Sequence, residues 1–312
     1  MKYLITGVEG FVGGYLFDEL KGDGDEIFGT YFADDLIDAD VLDGCSLYKA
    51  DVTNKAQLEG IINEIQPDVI FHLAAQSSAY VSWKNPQLTM QINVIGLVNL
   101  LEVLKDSEQK CRLVLIGSSE EYGIVKEEEN PISEQQPLRP GNPYSVSKIT
   151  CEELAKLYVS AYNMDIVMTR SFNHIGNRQS KLFVMPDFAS RVAKIANGEM
   201  ESIMLVGNLD AKRDFSDVRD VVNAYKIIAE KGESGEVYNV GSGKSNSIKH
   251  YLEYMIAKED IEVKIEQDPN RMRPSDNPVI VCDNTKLKKL GWKTKFDIYE
   301  TIDEMLEYFK NE

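Results

Sequence analysis

The chain has 312 residues, 43% of them hydrophobic, enough for a substantial core in one large domain or two interleaved smaller ones. Its 51 Asp and Glu against 34 Lys and Arg give a formal net charge of −17 at pH 7, which argues against nonspecific nucleic-acid binding and against anionic membrane surfaces. An anionic substrate would therefore need arginines concentrated where it binds. Met1-Lys2 leads directly into the strand-like Tyr3-Leu4-Ile5-Thr6, leaving no room for a signal peptide, and no apolar run approaches the roughly 20 residues that cross a bilayer. A cytoplasmic protein with no membrane partner is expected. Cys45, Cys111, Cys151 and Cys282 are dispersed without Cys-x-x-Cys spacing, so they suggest neither a metal site nor a disulfide framework and read as buried thiols.

In chain order, residues 3–6 read as a strand, 10–21 as a helix, 26–31 and 46–50 as strands, and 54–65 as a helix. A strand at 69–74, a helix at 86–105, a strand at 112–117, a helix at 143–162 and a strand at 166–171 follow. This alternation predicts an α/β fold with a Rossmann-type doubly wound parallel sheet. Beyond Ser171 the pattern turns irregular over 173–185 before a helical 186–197, and 236–240 is expected to rejoin the sheet. The amphipathic series Ile298, Ile302, Met305, Leu306, Phe309 belongs to a smaller C-terminal substrate-binding lobe. The expected division is a dinucleotide-binding domain over 1–172, rejoined by about 213–242, and a lobe built from 173–212 and 243–312, with a ligand crevice between them.

Thr6-Gly7-Val8-Glu9-Gly10-Phe11-Val12-Gly13 follows the first strand and opens the first helix, where backbone must approach a pyrophosphate and the helix amino terminus offers N–H donors. Asp51, just past the third strand, reads either as an acceptor for an adenine amino group or as a helix cap. The second strand ends Gly29-Thr30-Tyr31, without the acid that binds the adenosine ribose of NAD and without an arginine in its place. Asp34 and Asp35 read equally as solvated loop charges, and the balance leans slightly toward NADP over NAD.

Tyr144 and Lys148 stand four residues apart at the start of a predicted helix, 26 residues after Ser118, and residues so spaced share one helix face. The same Tyr-x-x-x-Lys pattern recurs at Tyr122/Lys126 and Tyr254/Lys258, so context decides. Tyr144 follows the turn-rich Arg139-Pro140-Gly141-Asn142-Pro143 and leads a run with apolar Ile149, Leu154, Leu157, Tyr158 and Ala161. Tyr122 precedes Gly123 and the acidic Glu127-Glu128-Glu129-Asn130-Pro131, which reads as a loop, and Tyr254/Lys258 lies in an ordinary amphipathic helix. A tyrosine that protonates an alkoxide near neutral pH must be more acidic than its usual pKa near 10, and a drop of about three pH units takes about 4 kcal/mol. The Lys148 ammonium and a positive nicotinamide ring are expected to supply it. Ser118, ending the fifth strand, is placed to hydrogen-bond a reacting carbonyl and the Tyr144 hydroxyl.

Thr6-Gly7-x-x-Gly10-x-x-Gly13, Asp51-Val52, His72-Leu73-Ala74-Ala75, Asn93, Ser118 and Tyr144-x-x-x-Lys148 resemble, in order and across the whole chain, the extended short-chain dehydrogenase/reductase family. Ile116-Gly117-Ser118-Ser119-Glu120-Glu121-Tyr122-Gly123, Phe172-Asn173-His174-Ile175-Gly176, Phe183-Val184-Met185-Pro186-Asp187-Phe188 and Arg271-Met272-Arg273-Pro274-Ser275-Asp276 look like its nucleotide-sugar branch. The resemblance implies NADPH or NADH as cofactor, held by Gly7, Gly10, Phe11, Val12, Gly13, Tyr31, Asp51, Val52, Leu73, Ala74, Ala75 and Asn93 together with Tyr144 and Lys148. It implies a GDP-sugar substrate, with Asn173 and Arg213 on the diphosphate, Arg273 on phosphate and Asp276 on the nucleotide ribose. Ser77 and Arg178 fall near the hexose or diphosphate and Val184 near the base, and arginine forks suit phosphate oxygens. Relatives pair the helices at 86–105 and 143–162 into a dimer, so a homodimer is expected.

The reaction implied is reduction of the C4 ketone of GDP-4-keto-6-deoxy-D-mannose to GDP-D-rhamnose by Ser118, Tyr144 and Lys148. Glu120 stands where dehydratases of this branch carry the base that takes the C5 proton, so GDP-mannose 4,6-dehydration is the alternative, with Glu120 otherwise orienting a sugar hydroxyl. Against dehydration, Thr30-Tyr31-Phe32-Ala33-Asp34-Asp35 replaces the arginine-rich loop of those enzymes. A non-catalytic NADP-binding sensor is the alternative of a different class, and the intact Tyr144–Lys148 pair speaks against it.

Overall fold

The computed structural model describes residues 1–22, 24–34, 38, 40–107, 109–271 and 277–312. In its first half β1 (Lys2–Thr6), α1 (Phe11–Leu20), β2 (Glu26–Tyr31), β3 (Ser46–Lys49), α2 (Lys55–Ile65) and β4 (Val69–His72) precede α3 (Ala79–Lys84), α4 (Pro86–Met90) and α5 (Gly96–Asp106). Then come β5 (Arg112–Ser118), the 20-residue α6 (Pro143–Tyr162) and β6 (Ile166–Ser171). The second half holds β7 (Asn173–Ile175), α7 (Val184–Ala196), β8 (Ile203–Val206), β9 (Lys212–Arg213), β10 (Phe215–Asp217), α8 (Val218–Lys231) and β11 (Val237–Val240). It closes with β12 (Asn246–Ser247), α9 (Ile248–Lys258), β13 (Lys264–Gln267), β14 (Val279–Ile280), α10 (Thr285–Lys289) and α11 (Ile298–Lys310).

Seven strands form one parallel sheet in the order β3-β2-β1-β4-β5-β6-β11, so the strand at 236–240 does take its place beside β6. Parallel strands covered on both faces need apolar side chains on both, and β4, β6 and β11 are buried at every position. Alternation sorts them by face: Tyr3, Ile5, Phe71, Val114 and Val167 pack with α1 and α8, whereas Leu4, Ile70, Leu113, Leu115 and Met168 pack with α2, α5 and α6. A third core joins α7, α9 and α11 through Phe188, Val192, Leu252, Met255, Ile302 and Met305. The order of strands reverses at β1, whose neighbours are β2 and β4, and the carboxyl ends of such a pair open a ligand crevice.

The helix predicted at 86–105 is not continuous. Gln91–Ile95 forms a π-helical turn between α4 and α5, a local widening that often marks functional sites. By length and composition Pro86–Asp106 is also apolar enough to cross a bilayer, although Gln91, Asn93 and Asn99 interrupt its apolar run. In the fold its buried side packs in the α2–α5–α6 core. The cysteines also divide: Cys151 and Cys282 are buried, but Cys45 and Cys111 are half-buried. Truncating the fully buried Ile70 in β4 is expected to cost about 2–5 kcal/mol, read from urea unfolding of Ile70→Ala.

Candidate active site

Gly7 leaves β1 with φ +73, and a Cβ there would stand 2.9 Å from Ala74 Cα, so the turn after β1 lies directly on the chain leaving β4. Gly10, the N-cap of α1, has no side-chain cap hydrogen bond. Close backbone approach and N–H groups at a helix amino terminus are what a pyrophosphate needs, and these residues fit a dinucleotide. Around them Phe11 stacks on His174 with centroids 6.1 Å apart, while Val12, Tyr31, Leu73, Ala74 and Ala75 are half-buried. Val52 is buried where Gly96 passes. Asp51 closes a turn, its Oδ1 accepting from Thr53 N at 2.9 Å and Thr53 Oγ1 at 2.8 Å.

Glu9 escaped the sequence reading, having no signal beyond its place in the glycine turn. Its Oε1 accepts from Phe32 N at 2.8 Å and ties that turn to the end of β2. Asp34 pairs with Lys49 on the surface, where both side chains stay exposed to solvent, and Asp35 lies outside the described residues.

Asn93 sits in the π-helical turn and is buried. Expected as a cofactor contact, it is spent on protein groups: Oδ1 accepts from Gln76 N at 2.8 Å, and Nδ2 donates to Gln76 O at 3.1 Å and to Ser147 Oγ at 2.9 Å. Ser147 Oγ in turn donates to Tyr144 O at 2.7 Å. One amide thus fastens the chain after β4 to the first turns of α6.

The residues expected to be catalytic, Ser118, Tyr144 and Lys148, come together where β5 ends against α6. Asn142 caps α6, its Oδ1 accepting from Ser145 N at 2.8 Å, and Pro143 takes the first helical position, where no N–H is needed. One turn in, Tyr144 and Lys148 are both buried. Lys148 Nζ donates to Ile116 O at 2.8 Å and lies 6.0 Å from the Tyr144 ring centroid. Ser118, half-buried at the strand end, is close enough to the Tyr144 phenol to draw its pKa down, and its Oγ accepts from Glu120 N at 3.2 Å. Glu120 Oε2 accepts from Asn142 Nδ2 at 2.9 Å. Asn142 is a second residue the sequence reading used only as turn punctuation, although Asn-Pro before a helix is a capping signal.

The electrostatics depart from expectation. Burial pushes the Tyr144 phenol up, the Ser118 hydrogen bond pulls it down, and Glu121 and Glu120 push it up again. The acidity expected from Lys148 is not built into the protein alone, because burial depresses the lysine itself and one of its protons is held by Ile116 O. At the switch point, buried His72 is pulled down to about 3 by burial and then by Lys148, and its Nδ1 shares a hydrogen bond with Thr6 Oγ1 at 2.9 Å.

The two other Tyr-x-x-x-Lys pairs are structural. Tyr122 donates to Asn239 Oδ1 at 2.6 Å under the Arg170 guanidinium, and Tyr254 and Lys258 both bond Asp303. Of the residues expected to meet substrate, Asn173 and Ser77 are exposed, Val184 opens α7, and Arg178, at φ +68, lies over the Tyr15 ring at 4.6 Å. Arg213 NH1 donates to Asn277 O at 2.8 Å, two residues before Phe215, which is in register with Asn173. Arg273 and Asp276 lie outside the described residues. Among the described residues no cluster of His, Cys, Asp and Glu is arranged to hold a metal.

Fold and site define an extended short-chain dehydrogenase/reductase that binds NAD(P)H and acts on nucleotide sugars. More particularly, a family model described as GDP-mannose 4,6 dehydratase matches residues 4–305, and the chain belongs to that family. It is 35% identical to a GDP-6-deoxy-D-mannose reductase of Pseudomonas aeruginosa, covering 77% of this chain and 79% of that one. A GDP-mannose 4,6-dehydratase of Vibrio cholerae is 27% identical over 98% of this chain and 92% of its own. The structure of RMD from Pseudomonas aeruginosa complexed with NADPH superposes with a TM-score of 0.87 at 30% identity, covering 99% of each chain. Thermus thermophilus UDP-glucose 4-epimerase with NAD gives 0.88 at 27% identity, again over 99% of each.

A pH signature follows from His72. Neutral and buried when folded but titrating near 6.5 when unfolded, it contributes stability that is present above about pH 6.5 and lost as pH falls toward about 3. The stability advantage of wild type over His72→Gln should shrink by up to about 1.4 kcal/mol per pH unit across that window, measured by urea unfolding.

Proposed function

We propose that the protein reduces the C4 ketone of GDP-4-keto-6-deoxy-D-mannose to GDP-D-rhamnose with NADPH or NADH, in the cytoplasm. The observation that carries this is the grouping of half-buried Ser118 with buried Tyr144 and Lys148 at the end of β5, in a chain so similar to a GDP-6-deoxy-D-mannose reductase. A bound reduced nicotinamide supplies the hydride to the carbonyl carbon. Tyr144 gives its proton to the carbonyl oxygen, Ser118 hydrogen-bonds that oxygen while charge develops on it, and Lys148 offsets the phenolate left behind. Asn173, Arg178 and Arg213 meet the sugar diphosphate, and residues 173–212 and 243–312 act as the nucleotide-sugar lobe.

Dehydration of GDP-mannose is the second reading, favoured by a specific observation: Glu120 follows Ser118 by two residues and is held beside the start of α6. Its engagement with Asn142 supports an orienting carboxylate instead, as does Thr30-Tyr31-Phe32-Ala33-Asp34 where dehydratases carry arginines. The exposed Trp83, Leu88, Ile95 and Leu157 on α3 to α6 support a homodimer built on those helices.

Product analysis separates the readings. Consumption of NADPH or NADH is expected with GDP-4-keto-6-deoxymannose, whereas water loss from GDP-mannose alone would make Glu120 a catalytic base and the protein a dehydratase. Tyr144→Phe should abolish turnover and leave cofactor affinity, measured by fluorescence titration, nearly unchanged; an active Phe variant overturns the assignment.

A further inference from the structure

Glu121 is fully buried directly behind the catalytic group, and half of its carboxylate lacks a hydrogen bond. Oε1 accepts from Ser118 N at 2.7 Å. Among the described residues Oε2 has no hydrogen-bond partner, and it lies 3.7 Å from Arg170 Nε. Arg170 is committed elsewhere: Nε and NH2 fork onto Glu152 at 2.8 and 2.6 Å. The carboxylate fits because residue 117 is glycine, since a Cβ there would stand 2.5 Å from Glu121 Oε1 and collide with the Thr169 carbonyl oxygen.

Beside it lies a void bounded by Glu121, Lys148, Cys151 and Glu152, with ≈ 10 Å³ for the centre of a water molecule, the room of about one water. Lys148 uses one proton on Ile116 O, so its ammonium has others to donate. We propose that a single water in this void bridges Lys148 Nζ and Glu121 Oε2, and that Glu121 is a positioning residue that keeps Lys148 charged at alkaline pH. Its kinetic consequence rests on the reductase reading; the water bridge does not.

The facing charges set the sign. Glu121 faces Glu152, Arg170, Lys148, Tyr144 and Cys151; Lys148 faces Glu121, Cys151, Tyr144 and His72. Burial, then Glu152, pushes Glu121 up to about 8, while burial pulls Lys148 down against the upward pull of Cys151 and Glu121. Below about pH 8 Glu121 is therefore protonated and adds no charge. Above it, the carboxylate holds the ammonium that Lys148 would otherwise lose.

Glu121→Gln keeps the acceptor for Ser118 N and the side-chain volume but cannot ionise. It should retain the bulk of the ketone-reduction rate near pH 7, while the alkaline fall-off moves about one pH unit lower, a loss of about tenfold at pH 9. Superposable profiles overturn the proposal, and so does a uniform loss at every pH, which marks a merely structural role. A high-resolution crystal structure of the wild type supplies a test independent of turnover: a water within hydrogen-bond distance of both atoms is expected, and a dry void overturns the proposal. If that water is present but no 4-keto sugar nucleotide is reduced, the reductase reading fails and the bridge stands.

Discussion

The site depends on holding the first two turns of α6 against the carboxyl edge of the sheet. The proposed proton donation requires the phenol to sit at hydrogen-bond distance from a substrate oxygen, with a positional tolerance of a fraction of an ångström, and Tyr144 sits on a helix rather than on the strand that ends at Ser118. Three attachments fix that helix: Asn142 caps it, Lys148 reaches Ile116 O inside β5, and Asn93 clamps Ser147 and the chain after β4 together. Each uses a polar group that burial would otherwise penalise, so positional accuracy and hydrogen-bond satisfaction are one requirement. The π-helical turn places Asn93 for this; Cys151 Sγ lies 3.2 Å from Asn93 O, a backbone oxygen that the widened turn presents to α6.

The buried charges follow the same economy of position. Arg170 and Glu152 satisfy each other in a fork beneath the site, an arrangement that is costly to break from one side and of little net value as a pair. The chain's net charge of −17 is mostly a surface property, where ion pairs such as Lys21–Asp18 are solvated and weak. Tyr144 illustrates the difference: with only protein groups around it, burial outweighs its one favourable hydrogen bond. In the proposed reduction a bound nicotinamide would bring positive charge beside Tyr144, and that charge would favour the phenolate that burial alone disfavours.

Much of this was legible in the chain. The apolar runs located β1, β2, β4, β5 and β6 because a parallel strand covered on both faces is apolar on both, and the turn-rich stretch ending in Pro143 marked the start of α6. The glycine turn was legible because Gly7 is forced by φ +73 and by Ala74. Asn93 and Asp51 were visible as residues but not in their hydrogen bonds, since partners such as Ser147, 54 residues away, are set by packing and not by local sequence. The break at Gln91–Ile95 was illegible because a π turn keeps helical composition. Glu9 and Asn142 looked like turn residues, and only the proximity of Phe32 N and Glu120 gives them a task.

The pair Glu120-Glu121 shows how one local geometry assigns different chemistry to adjacent identical residues. Residues 119–122 form a 3-10 turn, in which successive side chains point about 120° apart. Ser118 begins that turn as a capping box, and its reciprocal bond with Glu121 draws the second carboxylate inward under Gly117. The first is then left to face the start of α6, where Asn142 meets it. A carboxylate that is to take a proton from a sugar carbon must be open to the substrate, so only Glu120 can bear on the choice between reduction and dehydration. Glu121 is confined to acting through Lys148, and the two acids can vary in role without exchanging it.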